Sequence, residues 1–366
     1  MLRINIVYQN NNMPADVLDP IHASDGTYMV TWSRSPQPDS DVVVYFNHYT
    51  YDRRVHEKVC PNAPKLLYIY EPSAIDPMQY TKRIWKDFDA ILTWNTYLTQ
   101  ASPTFTFEAG VYYDLPYCSD YGVALRPDPP DPQKREKAIC QICGDKYSLS
   151  AEEIYSERRK VARWFHRHAR TRMDVFGIPP MDTPNYRGAC ENKSDTFGRY
   201  RYALCFENTF HPVWTRGYLT EKILDCMASG TIPIYYGCSN IEELVPTDCF
   251  IDYRSLSSLE ELDAYLQSMT DDEYLGYTKR MQAFFSSYNA PARHSATRLY
   301  ETIVSVSERL HESPSPDYPK DYTELSSWSG KCRLAAMRLL LPWYRYMVPL
   351  FAVVRFVKKG VRKREG

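Results

Sequence analysis

The sequence lacks the features that mark membrane-spanning, secreted or nucleic-acid-binding proteins. Its 366 residues contain no apolar run as long as a transmembrane helix, and residues 1–8 are too short for the apolar region of a signal peptide. The formal net charge is −1, so the whole chain has no positive field that would favour nucleic acid as a partner. No internal repeat is visible. What is left is a globular chain long enough for two domains.

The cysteines do not predict a disulfide framework or a metal site. The ten residues are scattered, several of them inside apolar runs, which favours reduced thiols and a cytoplasmic protein. Cys140 and Cys143 form a C-x-x-C, but no second pair and no histidine cluster completes a zinc site. Residues three apart on a strand point to opposite faces. We therefore interpret the pair as core cysteines and predict no metal site.

Apolar runs alternate with helical patterns in the first part of the chain, which predicts a parallel α/β sheet. The predicted strands are residues 2–7, 41–46, 65–70 and 89–94, with a helix around residues 78–86. Ligands of such sheets bind beyond the carboxyl ends of the strands. Glu71 stands there, directly after the third run, and Pro72 fixes the turn. On pattern alone, a surface turn glutamate is the favoured interpretation.

Residues 199–237 predict one βαβ unit, around which the rest of the chain is organised. Tyr200–Phe206 has strand character, Thr220 stands where a helix N-cap belongs, and Gly230 stands where a left-handed residue would end the helix. Residues 231–236 form the second strand. Glu221 and Lys222 fall in the first helical turn, where a lysine opposes the helix dipole and is explained better by a diphosphate ligand. An ordinary capping glutamate beside a solvated lysine is the alternative.

Three segments in this unit resemble a known donor-binding motif. They are YALCFEN at 202–208, YLTEK at 218–222 and GTIPIYYG at 230–237. In this order and spacing they resemble the α-1,3/4-fucosyltransferases, glycosyltransferase family 10, of bacterial type. The resemblance is strong over residues 199–253 and looser upstream to Leu66.

The resemblance implies an α/β fold of the GT-B type, with two Rossmann-like domains facing a cleft. The proline-rich residues 126–133 make the best linker. We predict an N-terminal acceptor-binding domain carrying the base at 1–128, a C-terminal GDP-fucose-binding domain at 136–312, and a basic amphipathic tail at 320–366.

The resemblance also implies roles for particular residues. Glu71 resembles the glutamate that acts as general base in the family, although the family's Glu-Ser-Pro-Ser is here Glu-Pro-Ser. In the arginine-rich helix predicted at 155–169, Arg158 fits the diphosphate ligand best; Arg159 is the close alternative, and a solvated basic helix face is the other. The remaining donor-binding roles are Lys222 at the diphosphate, Glu221 at the ribose, Asn208 and Tyr218 beside the diphosphate and fucose, and Tyr202 near the guanine.

The function expected from this resemblance is inverting α-1,3-fucosyl transfer from GDP-β-L-fucose to an oligosaccharide hydroxyl, on a N-acetylglucosamine or glucose unit of a surface glycan or lipopolysaccharide. No cofactor is required, and a divalent cation is expected to stimulate at most. One alternative is a GT-B transferase for another nucleotide sugar, such as GDP-mannose. The other is a catalytically inactive, membrane-associated carbohydrate-binding protein.

The segment from Lys331 onward carries ten basic residues against one acidic residue, interleaved with aromatic and aliphatic side chains. This composition is typical of an amphipathic helix on an anionic membrane surface. It predicts a cytoplasmic protein, peripheral at the inner face of the membrane. A helix packed on the protein and an RNA-binding tail are the alternatives.

Overall fold

The computed structural model describes residues 1–9, 17–18, 27–110, 112, 114–115, 130–148, 150–289 and 293–310. The predicted tail at 320–366 lies outside the described residues, as do residues 126–129 of the predicted linker. No helix within the described ranges is both long and apolar enough to cross a membrane.

The first sheet occupies the N-terminal part of the chain. Its strands are β1 (Leu2–Val7), β2 (Val17–Leu18), β3 (Tyr28–Ser33), β4 (Val42–Phe46), β5 (Lys65–Ile69), β6 (Ala90–Thr93) and β7 (Phe105–Phe107). They lie in the order β2-β3-β1-β4-β5-β6-β7, and only the β2–β3 pair is antiparallel. The four predicted strands are confirmed, whereas β2, β3 and β7 were not predicted. All five residues of β4 are buried, as expected for a parallel strand covered on both faces.

The second sheet is parallel throughout. Its strands are β8 (Glu136–Ile142), β9 (Met173–Phe176), β10 (Tyr186–Gly188), β11 (Tyr200–Phe206), β12 (Ile232–Tyr236) and β13 (Ile251–Asp252). They lie in the order β10-β9-β8-β11-β12-β13. The predicted βαβ unit is therefore confirmed, because its two strands, β11 and β12, are adjacent and parallel.

The α-helices of the described part of the chain connect or cover these strands. They are α1 (Arg53–Val59), α2 (Lys82–Trp85), α3 (Thr96–Ala101), α4 (Tyr155–His168), α5 (Lys193–Gly198), α6 (Glu221–Ala228), α7 (Leu259–Ser268), α8 (Asp271–Tyr288) and α9 (Ala296–Arg309). The single helix predicted around residues 78–86 is instead a 3₁₀ turn, Pro77–Tyr80, followed by the short α2.

Helix α9 packs in the core of the first sheet, although it follows the second sheet in the chain. Leu299, Tyr300 and Ile303 have no exposed surface and belong to the apolar cluster around Val30. The Trp32 indole N–H donates to the Tyr300 hydroxyl at 2.8 Å. The predicted second domain at 136–312 therefore contains a helix whose apolar face belongs to the first core.

The carboxyl ends of the two sheets meet at the loop between β11 and α6. The Asn95 side-chain amide, just after β6, donates to the Trp214 carbonyl at 3.0 Å. Gly217 has a positive φ of 83°, and a Cβ there would lie 2.3 Å from the Trp94 carbonyl oxygen. The loop thus approaches β6 closely only because residue 217 is glycine. This contact brings the ligand-binding edges of both sheets to one place.

Candidate active site

Glu71 lies two residues beyond β5, on a backbone that is fixed from both sides. The amides of Tyr70 and Glu71 donate to the Asn47 side-chain oxygen at 3.1 and 2.7 Å. The Glu71 carbonyl accepts from the Gln79 side-chain amide at 2.5 Å and from the Tyr80 hydroxyl at 3.0 Å. These contacts define the local path of the chain where its sequence departs from Glu-Ser-Pro-Ser.

The Glu71 carboxyl is influenced by three charged residues that follow strands of the second sheet. The side chain is partly buried, and burial raises its pKa above the usual range for glutamate. Lys146 and Lys222 oppose this rise, while Glu221 adds to it. The predicted base therefore shares one site with the predicted donor-binding turn.

The first turn of α6 forms as its sequence predicts. Thr220 is the N-cap, and its hydroxyl accepts from the Lys222 amide at 3.4 Å. The helix ends after Ala228, and Gly230 has the predicted left-handed backbone with φ of 70°. Glu221 and Lys222 thus stand at the start of the helix, where main-chain amides favour an anion.

Lys222 is held by a glutamate that the sequence reasoning missed. Its ammonium lies 3.1 Å from Glu207 Oε2, 3.1 Å from the Thr220 hydroxyl and 3.8 Å from a Glu221 oxygen. Burial opposes the charge, but Glu207 and Glu221 raise the pKa of Lys222 above its ordinary value. The lysine therefore stays protonated and ready to meet an anion.

Glu207 follows β11 and has no exposed surface. Its Oε1 accepts from the Thr220 amide at 3.1 Å, and both carboxylate oxygens accept from the Thr220 hydroxyl. A Cβ at Gly237 would lie 2.2 Å from Glu207 Cγ, so glycine leaves the space for this side chain. The sequence did contain a signal that could have identified Glu207 as a site residue: it is an acidic residue at the end of a buried strand, and a capped helix follows that strand.

Glu221 is partly buried and lies between two lysines. Burial acts against its charge, yet Lys222 and Lys193 lower the pKa of Glu221 below its ordinary value. The Lys193 ammonium lies 3.9 Å from the Glu221 carboxylate and 3.2 Å from Asp225. Glu221 is therefore ionised and available as a hydrogen-bond acceptor, as a ribose contact requires.

The two arginines considered for the diphosphate point to different neighbours. Arg158 is buried, and its Nη2 donates to the carbonyls of Phe206 and Glu207, both at 2.5 Å, and to the Asn208 side-chain oxygen at 3.2 Å. Arg159 instead pairs with Asp145 at 3.1 Å. Arg158 thus lies at the end of β11, next to the Lys222 turn, whereas Arg159 fixes the loop after β8.

Asn208 and Tyr218 lie at the same edge of the sheet. Asn208 is partly exposed and accepts from Arg158. Tyr218 is buried, with its ring centroid 4.6 Å from that of Trp94. Both positions agree with the predicted neighbourhood of the donor, and their contacts with fucose or phosphate stay predictions.

Tyr202 is placed differently from its predicted role beside guanine. It lies in the middle of β11 with no exposed surface, and its hydroxyl donates to the Leu266 carbonyl of α7 at 3.1 Å. Side chains alternate along a strand, and this one points into the core. The residue packs α7 on the sheet, so the predicted contact with guanine is at odds with the structure.

Lys146, in the stretch after β8, is a second residue that sequence reasoning did not assign to the site. Its side chain is exposed, and the charges that act on it are those of Glu71, Lys222, Arg158 and Glu221. All four belong to the predicted site. The lysine was missed because its loop has no periodic pattern that would place it.

The C-x-x-C contributes to packing. Cys140 has no exposed surface within the second core, and Cys143 is partly buried and accepts from the Gln141 amide at 2.8 Å. The prediction of core cysteines is therefore confirmed. Among the described residues, no group of three or more His, Cys, Asp or Glu side chains could hold a metal ion.

Two crystal structures of α1,3-fucosyltransferase are similar to this chain in fold. One has a TM-score of 0.53, and the other, described as holding GDP, has a TM-score of 0.52. Each similarity has 17% sequence identity and covers 86% of this chain and 91% of the other. The predicted GT-B fold is confirmed: the molecule has the two parallel-sheet domains of this class of glycosyltransferase.

The sequence comparisons identify the family within that class. The model of the glycosyltransferase family 10 (fucosyltransferase) C-terminal domain matches residues 132–328, more than half of the chain. This chain belongs to glycosyltransferase family 10.

Individual relatives match over shorter regions. α-(1,3)-Fucosyltransferase 7 of Rattus norvegicus is 32% identical over 156 residues, covering 41% of this chain and 37% of the rat protein. α-(1,4)-Fucosyltransferase of Arabidopsis thaliana is 38% identical over 73 residues, covering 20% of this chain and 17% of the plant protein. The chain thus matches well under half the length of either relative.

Proposed function

We propose that this protein transfers L-fucose from GDP-β-L-fucose to a hydroxyl of an oligosaccharide, with inversion at the sugar's C1. The observation that carries the proposal is that loops of the two sheets contact each other next to Glu71 and next to α6. This brings Glu71 within the electrostatic influence of Glu221 and Lys222. A carboxylate from one sheet and a cationic helix start from the other suit a displacement in which one group enters as another leaves. The fucosyltransferase names of the relatives support fucose as the transferred sugar.

The chemistry requires two events around one carbon. The acceptor oxygen attacks C1 and its proton passes to the Glu71 carboxylate, which acts as general base. The bond from C1 to the phosphate oxygen breaks, and GDP leaves with the electron pair. Lys222, Arg158 and the amides at the start of α6 stabilise the negative charge that develops on the diphosphate. Glu221 accepts from the ribose hydroxyls, while Asn208 and Tyr218 flank the diphosphate and fucose.

The test is turnover of labelled nucleotide sugars by the full chain over an acceptor glycan array. We expect transfer from GDP-fucose, and α-linked fucose in the product by NMR. If only GDP-mannose is turned over, the transferred sugar is mannose and not fucose. Glycan binding without turnover of any donor would indicate a carbohydrate-binding protein. The array also tests N-acetylglucosamine and glucose units as acceptors, and EDTA tests whether a divalent cation contributes.

The arginine of the diphosphate site can be identified by paired substitutions. Arg158→Ala is expected to weaken GDP binding by about 10-fold or more, because a charge-assisted contact to phosphate is lost. GMP, which lacks the second phosphate, should be affected much less. Arg159→Ala serves as the comparison, since its guanidinium pairs with Asp145. If calorimetry shows weaker GDP binding for Arg159→Ala and not for Arg158→Ala, Arg159 is the diphosphate ligand instead of Arg158.

The basic segment at 320–366 is proposed to attach the enzyme to the cytoplasmic face of an anionic membrane. This proposal rests on the ten basic residues, against one acidic residue, from Lys331 onward. Each basic residue near an anionic membrane surface contributes about 1 kcal/mol of binding free energy. A chain ending at Gly330 should lose co-sedimentation with anionic vesicles, and salt should weaken binding of the full chain. Equal pelleting of both chains would exclude the segment as an anchor.

A further inference from the structure

The loop after β8 holds Lys146 between α4 and the loop that carries Glu71. Arg159, on α4, donates to the Lys146 carbonyl at 2.6 Å and to the Asp145 carboxylate at 3.1 Å. Two residues further on, the Ser148 hydroxyl donates to the Ala74 carbonyl at 2.6 Å. The backbone on both sides of Lys146 is therefore fixed, which places its side chain at the junction of the two sheets.

The Lys146 ammonium has no partner of its own in the described part of the chain. No hydrogen bond and no ion pair within 4 Å joins it to a described residue, and its side chain is exposed. Lys222 is the opposite case, because its ammonium already contacts Glu207 and Thr220 at 3.1 Å. An unpartnered cation that faces a site is free to bind an anionic ligand directly.

The charge balance of the site indicates that a bound diphosphate needs a further cation. Without it, the site has more acidic than basic side chains, once the Lys193–Asp225 pair beside Glu221 is counted. The acidic side chains are Glu71, Glu207, Glu221 and Asp225, and the basic ones are Lys222, Lys193 and Arg158. A diphosphate entering that group would meet a net negative charge, which costs binding energy at short distance. One more cation makes the acidic and basic side chains equal in number before the ligand's own charge arrives.

We propose that Lys146 is a further ligand of the donor's diphosphate, contacting the phosphate nearest the sugar from the Glu71 side of the site. This inference rests on the proposed function and extends it. Lys222 and the start of α6 approach the diphosphate from the second sheet, and Lys146 reaches it from the loop that contacts the first. The phosphate would then be held by cations from two directions, and its leaving charge would be neutralised on both sides.

The experiment is calorimetry on the full chain with GDP, GMP and inorganic pyrophosphate. Lys146→Gln is expected to weaken GDP and pyrophosphate binding by roughly 10- to 100-fold, with much less effect on GMP. Lys146→Arg should restore most of the affinity, because it keeps the charge. Lys160→Gln is the matched control, a lysine on α4 that pairs with Glu157 at 2.8 Å on the surface. Thermal unfolding should be unchanged in Lys146→Gln, since the side chain has no hydrogen-bond or ion-pair partner among the described residues.

The outcomes separate this inference from the proposed function. Lys146→Gln with wild-type affinity for GDP and pyrophosphate, or with equal losses for GDP and GMP, would overturn the role of Lys146. Failure of the wild-type chain to bind GDP would overturn the GDP-sugar donor instead. In that case, pyrophosphate binding that Lys146→Gln weakens and Lys146→Arg restores would still support Lys146 as a diphosphate ligand.

Discussion

Glu71→Gln is expected to lower fucosyl transfer by about 10²- to 10⁴-fold while GDP-fucose binding stays close to that of the wild-type chain. Glutamine keeps the size of the side chain, and the bonds that fix this turn involve the main chain of Glu71. What is lost is the carboxylate that takes the acceptor's proton. Initial rates at saturating acceptor, together with calorimetry of GDP-fucose, measure the two quantities separately.

Glu57→Gln is a suitable control for this substitution. Glu57 is an exposed residue on α1, on the same domain, and accepts from Arg53 at 2.7 Å. Its replacement should leave transfer unchanged. If Glu71→Gln keeps more than about a tenth of wild-type turnover, the loss is too small for removal of a general base, and another group must accept the proton.

The same residue predicts how activity depends on pH. Burial raises the pKa of Glu71, and the base works only when ionised. Activity should therefore fall as the pH decreases through a value above the ordinary glutamate range. Because Lys146 and Lys222 oppose the rise, loss of either cation should move this acid limb to higher pH. A limb that stays in place in both variants would indicate that Glu71 does not set it.

Local signals were enough to predict the secondary structure at the centre of the site. A threonine cap, a charged first turn and a glycine stop were sufficient to place α6, and each is satisfied by neighbours within a few residues. The position of Glu71 at the end of a buried strand is a local feature too, but its role as base came from the family resemblance, because the pattern alone favoured a surface turn glutamate. The strands on either side of these positions were found from local signals.

Residues whose surroundings come from distant parts of the chain escaped prediction. Glu207 is defined by Thr220 and Lys222, which lie thirteen and fifteen residues away. Tyr202 matched a family motif, but its position in β11 turns it towards α7. Helix α9 joins the first core although more than 180 residues separate it from β5. A sequence pattern shows which residues are apolar or charged, and it does not show which distant partner each one meets.

Lys222→Met is expected to lower the free energy of unfolding by about 3 kcal/mol, because it leaves a buried carboxylate without its cation. Glu207 has no exposed surface, and its Oε2 lies 3.1 Å from the Lys222 ammonium. The hydrogen bonds from Thr220 remain, but they do not neutralise the charge. Urea unfolding measures the change. Lys160→Met is the control, since its surface pair with Glu157 should contribute less than about 1 kcal/mol.

The double variant Glu207→Gln with Lys222→Met separates stability from ligand binding. Glutamine still accepts from the Thr220 amide and hydroxyl, and because it is neutral, no buried charge is left unpaired. The double variant should therefore regain most of the stability lost in Lys222→Met. It should nevertheless bind GDP weakly, because the cation is still missing. A double variant as unstable as Lys222→Met would show that the lysine stabilises this turn by packing and not by charge. A stable double variant with wild-type GDP affinity would remove Lys222 from the diphosphate site, and Glu207 would then hold a lysine that serves the fold alone.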